Sequence, residues 1–194
     1  KGVPAPGIAN LIFQTPMDSS ADDFEPFSQY GSLVEKVELA DDRMTMIYHI
    51  NKDAIFSDGH PVTADDFVFS FNLLKDPEYH PISKQYFKDI KTVTKISSHK
   101  VKYTFAIYNQ ELPLITGQMT IFPKHVYGEK GKLFGSDFDE IAIGSGPYKI
   151  KSFEFGKHIT FVKNKNWWGA KLGINKGRYN FDKIIIFNSS LRFN

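Results

Sequence analysis

Alternating apolar and polar residues in the first third of the chain predict a β-hairpin. The strand candidates are residues 33–39 and 44–50, and the polar triplet Asp-Asp-Arg at 41–43 is typical of a tight turn. Every second residue from Met44 to Ile50 is apolar. Because side chains alternate between the two faces of a strand, these residues are expected to share one buried face.

The strongest helix signal begins at Thr63. Its hydroxyl can cap the first turn, and Asp66 three residues later completes an acidic variant of the capping box. Pro77 then stops the helix, because proline lacks the backbone donor that a helix interior needs. The residues in between form an apolar stripe that predicts packing on a core: Phe67, Val68, Phe71 and Leu74.

Two more hairpins and several short elements complete the pattern. The hairpins pair residues 91–96 with 101–107 and residues 148–153 with 158–163. Shorter helical patterns lie at residues 6–14, 112–115 and 124–128, and the final stretch 181–194 is interpreted as a strand. Hairpins that alternate with scattered helices predict a mixed α/β (α+β) architecture with a mixed sheet, not a doubly wound one.

Composition narrows the function classes. The chain has 194 residues, of which 41% are hydrophobic, enough to bury a core. Its formal charge of +2, from 24 basic and 22 acidic residues, is too small and too evenly spread to indicate a nucleic-acid partner. The absence of cysteine excludes disulfides, thiolate metal sites and cysteine nucleophiles. No segment reaches the length of apolar sequence that a membrane span needs.

Motifs for metal and phosphate chemistry are incomplete. The six histidines stand at spacings that match no metal-binding pattern, so no metal site and no cofactor are predicted: His49, His60, His80, His99, His125 and His158. The stretch 128–132 resembles a phosphate loop, but Val126 replaces its first glycine and Leu133 replaces its hydroxyl residue.

Motifs for nucleophilic catalysis are equally incomplete. Ser145 lies directly between two glycines and lacks the spacer residues of a nucleophile elbow. The pair Trp167 and Trp168 could stack on a ligand, although a buried anchor beside a turn is the simpler interpretation. The residues alone therefore predict no catalytic residue.

Several ordered segments resemble one family. The sequence FSDGHPVTADDFVFS at 56–70 resembles the signature of the peptide- and nickel-binding solute-binding proteins of ABC transporters, family 5. The sequences GSGPYKI at 144–150, NWWG at 166–169 and the segment 177–184 resemble later motifs of that family in the same order. The sequences ELPLI at 111–115 and GRYNFD at 177–182 are closest to its YejA-like branch, which binds oligopeptides and microcin C. One departure is YHIN at 48–51, which lacks the arginine common in the family.

The resemblance implies a lobe of a clamshell receptor that closes on its ligand. Family members are much longer, so this chain is expected to be part of lobe I, without the C-terminal return segments and lobe II. On that basis residues 1–13 and 141–194 belong to the central sheet of lobe I, and residues 14–140 form an inserted subdomain. The implied ligand contacts are Gly2, Val3, Ile82, Thr116, Gly117 and Gln118.

The implied role is capture of an oligopeptide and its delivery to ABC permease subunits by a monomer in the periplasm, or by a membrane-anchored lipoprotein outside a Gram-positive cell. No reaction is implied. Three alternatives stay open: another solute such as a nickel chelate, an opine or an oligosaccharide; a receptor that signals; and a periplasmic hydrolase using Ser145.

Overall fold

The fold was determined as a computed structural model, which describes residues 8–19, 28–76, 81–128, 142–154 and 156–187. The described part of the chain begins with a helical turn at Ile8–Ile12. The strands are β1 (Met17–Ser19), β2 (Gln29–Gly31), β3 (Val34–Leu39), β4 (Thr45–Ile50), β5 (Ile90–Ser97), β6 (Lys100–Phe105), β7 (Tyr148–Glu154), β8 (His158–Lys163) and β9 (Lys183–Phe187). The helices are α1 (Ala64–Lys75), α2 (Pro81–Tyr86), α3 (Leu112–Gly117) and α4 (Lys124–Tyr127), followed by 3-10 turns at Trp168–Lys171 and Gly173–Asn175.

The largest sheet has the strand order β3-β4-β6-β5, so the first two predicted hairpins are joined side by side. β4 pairs with β6 through the register Tyr48 opposite Val101. Met46, Tyr48 and Ile50 are buried as their alternation predicts. Arg43 takes a positive φ of 55° in the turn between β3 and β4. The predicted hairpins are confirmed, with ends that differ by one or two residues.

Helix α1 packs against β5 and covers one face of this sheet. Phe67, Phe71 and Leu74 are buried, whereas Val68 lies at the margin of the core and is only partly buried. The helix ends at Lys75, two residues before the proline that predicted its end. The capping box between Thr63 and Asp66 is also present, which confirms the predicted start.

A second sheet, β7-β8-β9, contains the third predicted hairpin. Gly156 has a φ of 74°, a conformation that residues with a Cβ rarely adopt, and it turns the chain between β7 and β8. Every strand pair among the described residues is antiparallel. The parallel pairing of a mixed sheet is therefore not found within the described part of the chain, although hairpins and short helices together form the predicted α+β architecture.

One hydrophobic cluster runs from the N-terminal helical turn through both larger sheets, from Ile12 to Phe161.

Outside this cluster, Glu38 on β3 accepts hydrogen bonds of 2.8 Å from Lys36 and from His49 on β4. These hydrogen bonds lower the pKa of Glu38 to about 2, and the bond from Lys36 has the larger effect. Among the described helices, none has the length and apolar character needed to cross a bilayer.

Candidate functional site

Helix α2 and the end of α3 come together on the surface, and four of the predicted ligand contacts lie there. The Tyr86 hydroxyl at the end of α2 donates a 3.0 Å hydrogen bond to Oε1 of Gln118, directly after α3. Ile82 lies within α2, and Thr116 and Gly117 end α3. The structure therefore brings Ile82 and residues 116–118 into one region. Gly2 and Val3 lie outside the described residues.

Thr116 is fully buried and its hydroxyl is already engaged. It donates to the Pro113 carbonyl at 2.9 Å and shares a 2.9 Å hydrogen bond with the Tyr48 hydroxyl of β4. Burial raises the pKa of Tyr48 far above its usual value, and the hydrogen bond with Thr116 offsets only part of that effect. The Thr116 side chain therefore anchors α3 to the main sheet.

Gly117 is buried against Gln29 of β2. A Cβ at position 117 would collide with the Gln29 side chain amide, so only glycine fits while that side chain stays in place. The Gln29 amide nitrogen also donates a 3.0 Å hydrogen bond to the Leu114 carbonyl. The end of α3 is thus held from two sides, by β4 and by β2.

Gln118 and Tyr86 are both open to solvent. Tyr86 is 46% exposed, and Gln118 is exposed as well. An amide and a phenol that hydrogen-bond to each other can also hydrogen-bond to the backbone of a peptide or to other polar ligands. We call Tyr86 and Gln118 the α2–α3 surface pair.

A second polar cluster lies at the turn before α1. The turn is closed by a 2.8 Å hydrogen bond from the Phe56 amide to the His60 carbonyl, and Gly59 has a φ of 93°. Oδ2 of Asp58 lies 2.7 Å from Nε2 of His125 on α4 and 3.3 Å from Nδ1 of His60. The two imidazole rings are stacked with centroids 4.0 Å apart.

The Asp58 carboxyl is shaped by these neighbours. Burial raises its pKa, but hydrogen bonds from the His125 ring and from the His60 backbone outweigh burial, so the pKa lies below its ordinary value. Asp58 is therefore a carboxylate at neutral pH. A carboxylate facing two imidazoles is a set of groups that can bind a divalent transition cation.

Sequence reasoning missed this cluster, because it treated the histidines as scattered. His60 and His125 are far apart in the chain, and no spacing rule links them. A hydrogen bond to Asp66 brings the two histidines together. The Asp66 carboxylate accepts a 2.9 Å hydrogen bond from the Lys124 amide, which places the start of α4, with His125, beside the start of α1.

The segment 144–150 packs against the N-terminal helical turn. The Gly146 amide donates a 2.8 Å hydrogen bond to the Ile12 carbonyl, and a Cβ at position 146 would fall on backbone atoms of that turn. Trp167 is buried, and its indole donates a 2.9 Å hydrogen bond to the Ser145 carbonyl. The buried-anchor interpretation of Trp167 is therefore confirmed.

Ser145 shows none of the features of a nucleophile. It is 1% exposed, and its hydroxyl has no hydrogen-bond partner among the described residues. A serine nucleophile needs a hydrogen-bonded base and access to a substrate. This geometry offers neither.

Comparison with known proteins identifies relatives along almost the whole chain. Residues 29–189 match the family described as "Bacterial extracellular solute-binding proteins, family 5 Middle". The peptidoglycan-binding protein YepA of Agrobacterium fabrum is 37% identical over 96% of this chain. The "Probable peptide-binding protein YejA" of the same organism is 34% identical over 95% of the chain. The chain spans about 30% of the length of each of these two relatives.

Solved structures of other solute-binding proteins have the same fold. NikZ from Campylobacter jejuni, in complex with Ni(L-His), superposes with a TM-score of 0.77 at 24% identity and covers 92% of the chain. AppA from Bacillus subtilis, in complex with a nonapeptide, superposes with a TM-score of 0.76 at 23% identity and covers 93%. The chain corresponds to 34% of each of these structures.

Proposed function

Because this chain belongs to family 5 of the bacterial extracellular solute-binding proteins, we propose that it forms part of lobe I of a receptor that captures oligopeptides for an ABC permease. The single observation that carries this proposal is the family match over residues 29–189. It is joined by relatives at 34–37% identity whose names refer to peptides and peptidoglycan. The receptor acts outside the cytoplasmic membrane, in the periplasm or as an anchored lipoprotein.

The α2–α3 surface pair supports a role in ligand contact. Tyr86 and Gln118 present a phenol and an amide to solvent on a segment that Thr116 and Gly117 fix to β4 and β2. Peptides are recognised largely through backbone hydrogen bonds, which need donors and acceptors on a rigid support. We assign direct contact to Gln118 and support to Thr116 and Gly117. Gly2, Val3 and Ile82 remain predicted contacts.

The proposal includes no catalysis. Ser145 has no base beside its hydroxyl among the described residues and is sealed from solvent. We also propose that residues 14–140 are an insertion into lobe I and that residues 1–13 and 141–194 belong to its central sheet. The receptor acts as a monomer, and lobe II completes the cleft.

The test is ligand identification with the full-length protein from which this chain comes. The protein is purified without denaturation, and retained ligands are identified by mass spectrometry. Calorimetry then compares tri- to decapeptides with peptidoglycan-derived peptides, which the name of YepA suggests, and with the nickel–histidine chelate seen in NikZ. Preferential binding of peptides of either kind supports the proposal, whereas selective binding of the chelate refutes it.

A matched pair of variants tests the contact assigned to Gln118. Gln118→Ala removes the exposed amide and is expected to weaken peptide binding about fivefold, since one lost hydrogen bond contributes about 1 kcal/mol. Gln110→Ala, at an exposed position outside the surface pair, is the control and is expected to bind normally. Equal affinities of the two variants contradict the assignment. The 194-residue chain alone is expected to bind weakly, because the proposal assigns the second half of the cleft to lobe II.

A further inference from the structure

We propose that Asp58, His60 and His125 form a surface site for a divalent transition cation of the Zn²⁺ or Ni²⁺ type. One ligand atom from each of these three residues lies within 4.8 Å of the other two. The site is distinct from the α2–α3 surface pair, because it is built from the turn before α1 and from α4. Its existence does not depend on the identity of the transported solute.

The distances from the Asp58 oxygen to the two imidazole nitrogens are close to those of a tetrahedral metal site, and the stacked rings have to turn so that both nitrogens face one ion. Zinc binds imidazole nitrogen and carboxylate oxygen at about 2.0–2.2 Å, so two ligand atoms of a tetrahedron lie about 3.3 Å apart. The distance from Nδ1 of His60 to Oδ2 of Asp58 is 3.3 Å. The distance from Nε2 of His125 to the same oxygen is 2.7 Å, so His125 must withdraw by about 0.6 Å.

Contacts with neighbouring groups orient these side chains. Asp58 Oδ1 accepts a 3.1 Å hydrogen bond from the His60 amide, which fixes the carboxylate within its turn. Phe56 is 1% exposed and its ring lies 5.7 Å from that of His125, centroid to centroid. The Lys124 amide is bound to Asp66 at the start of α1. Metal sites gain affinity when their ligands are oriented in advance by such contacts.

The chemistry of the ligands selects the cation. Two imidazoles and one carboxylate suit zinc, nickel and copper, whereas magnesium and calcium prefer sites made of oxygen alone. The side chains of His60, Asp58 and His125 are 59%, 23% and 32% exposed, so a cation can enter and keep water at its remaining positions. The Lys149 ammonium donates a 2.7 Å hydrogen bond to the carbonyl of Ser57, the residue before Asp58.

A bound cation would join two segments that are distant in the sequence, the turn at 56–61 and helix α4. A ligand that binds only the folded state stabilises it in proportion to the logarithm of its concentration. At about 100 times the dissociation constant, the expected rise in melting temperature is about 5–11 °C for a chain of this size.

The experiment titrates the 194-residue chain with ZnCl₂ and, separately, with NiCl₂ in isothermal calorimetry, and repeats the melting curves with and without metal. One cation per chain is expected, and Mg²⁺ should give no heat. His60→Ala removes a ligand from an exposed position and should weaken binding at least about tenfold and abolish the rise in melting temperature. His99→Ala removes a histidine outside the cluster and should leave the metal affinity and the rise in melting temperature unchanged.

Asp58→Asn provides a second variant, because the amide oxygen can still accept the hydrogen bond from His125 but carries no charge. It should fold and bind metal more weakly than the parent chain. Absence of binding at 1 mM Zn²⁺ and 1 mM Ni²⁺, or equal binding by the parent and His60→Ala chains, would overturn the proposal. Cobalt substitution gives an independent reading: intense visible bands of tetrahedral Co²⁺ that disappear in His60→Ala support the site, and their persistence refutes it.

Discussion

Replacing Asp66 by alanine is expected to destabilise the chain strongly, because this one carboxylate serves two elements. The residue is 4% exposed. Its Oδ2 accepts hydrogen bonds from the backbone amide of Thr63 at 2.8 Å and from the Thr63 hydroxyl at 3.0 Å. Its Oδ1 accepts the 2.9 Å bond from the amide of Lys124 that positions α4.

The magnitude follows from the donors that lose their acceptor. Loss of the capping interaction at the start of α1 costs about 1 kcal/mol. The Lys124 amide, left without its carboxylate, adds about 1–2 kcal/mol. The Thr63 hydroxyl is only half-buried and can turn to water, so it adds little. The free energy of unfolding should therefore fall by about 2–3 kcal/mol, which lowers the melting temperature of a chain of this length by about 4–12 °C.

The neighbouring residue provides the control. Asp65 lies in the same helical turn but forms an exposed ion pair with Lys95, with side chains 45% and 41% exposed. Exposed pairs contribute little, so Asp65→Ala should cost less than about 1 kcal/mol. Both variants lose one negative charge near the helix start, and their difference isolates the buried hydrogen bonds.

Urea unfolding followed by circular dichroism measures both variants against the parent chain. The free energy of unfolding falls linearly with urea concentration. When a variant and the parent chain have the same slope, the shift of the midpoint gives the difference in their free energies of unfolding. Equal losses for Asp66→Ala and Asp65→Ala would refute the reasoning, because they would show that the bond to Lys124 contributes nothing. A second readout is hydrogen exchange of the amides in α4, which should accelerate in Asp66→Ala alone.

Three further outcomes are expected. Gly146→Ala should lower the free energy of unfolding by about 2–4 kcal/mol in the same urea assay, because a methyl group has no space against the N-terminal helical turn. Gly173→Ala is the control, because no atom lies within 4 Å of a Cβ at that position. Equal losses in the two variants would contradict the packing argument. Ser145→Ala should be neutral or slightly stabilising in thermal melts, since its buried hydroxyl has no partner, and a large loss would disprove this. Glu38→Gln should lower the melting temperature at pH 6, and this loss should become smaller from pH 5 to pH 3. The pKa of the Glu38 carboxyl is lowered to about 2 in the folded chain, so the carboxylate stabilises the fold above its unfolded pKa and loses that stabilisation as the pH falls. A difference in melting temperature that stays constant with pH would rule out the charged contacts of Glu38 as its source.

Local sequence patterns were sufficient to predict those secondary-structure elements whose signals lie within a few neighbouring residues. The hairpin of β3 and β4 and the start of α1 are specified by alternation, by a polar turn and by the spacing of Thr63 and Asp66, all within a few residues. The family resemblance at residues 56–70 was equally local, and the match over residues 29–189 confirms it. The interpretation of Trp167 as a buried anchor was likewise local, because it rested on the residue type and on the turn beside it, and the burial of Trp167 confirms it.

The sequence by itself therefore determined the larger hairpins, helix α1 and the family, whose signals lie within short segments. It did not predict the short elements β1, β2 and α2. The meeting of distant segments was decided only by tertiary structure. Asp58 and His125 are brought together by the Asp66–Lys124 bond, and Tyr86 meets Gln118 because α3 is held by β4 and β2. No periodicity encodes such contacts, because they depend on how packed elements are oriented and not on spacing along the chain.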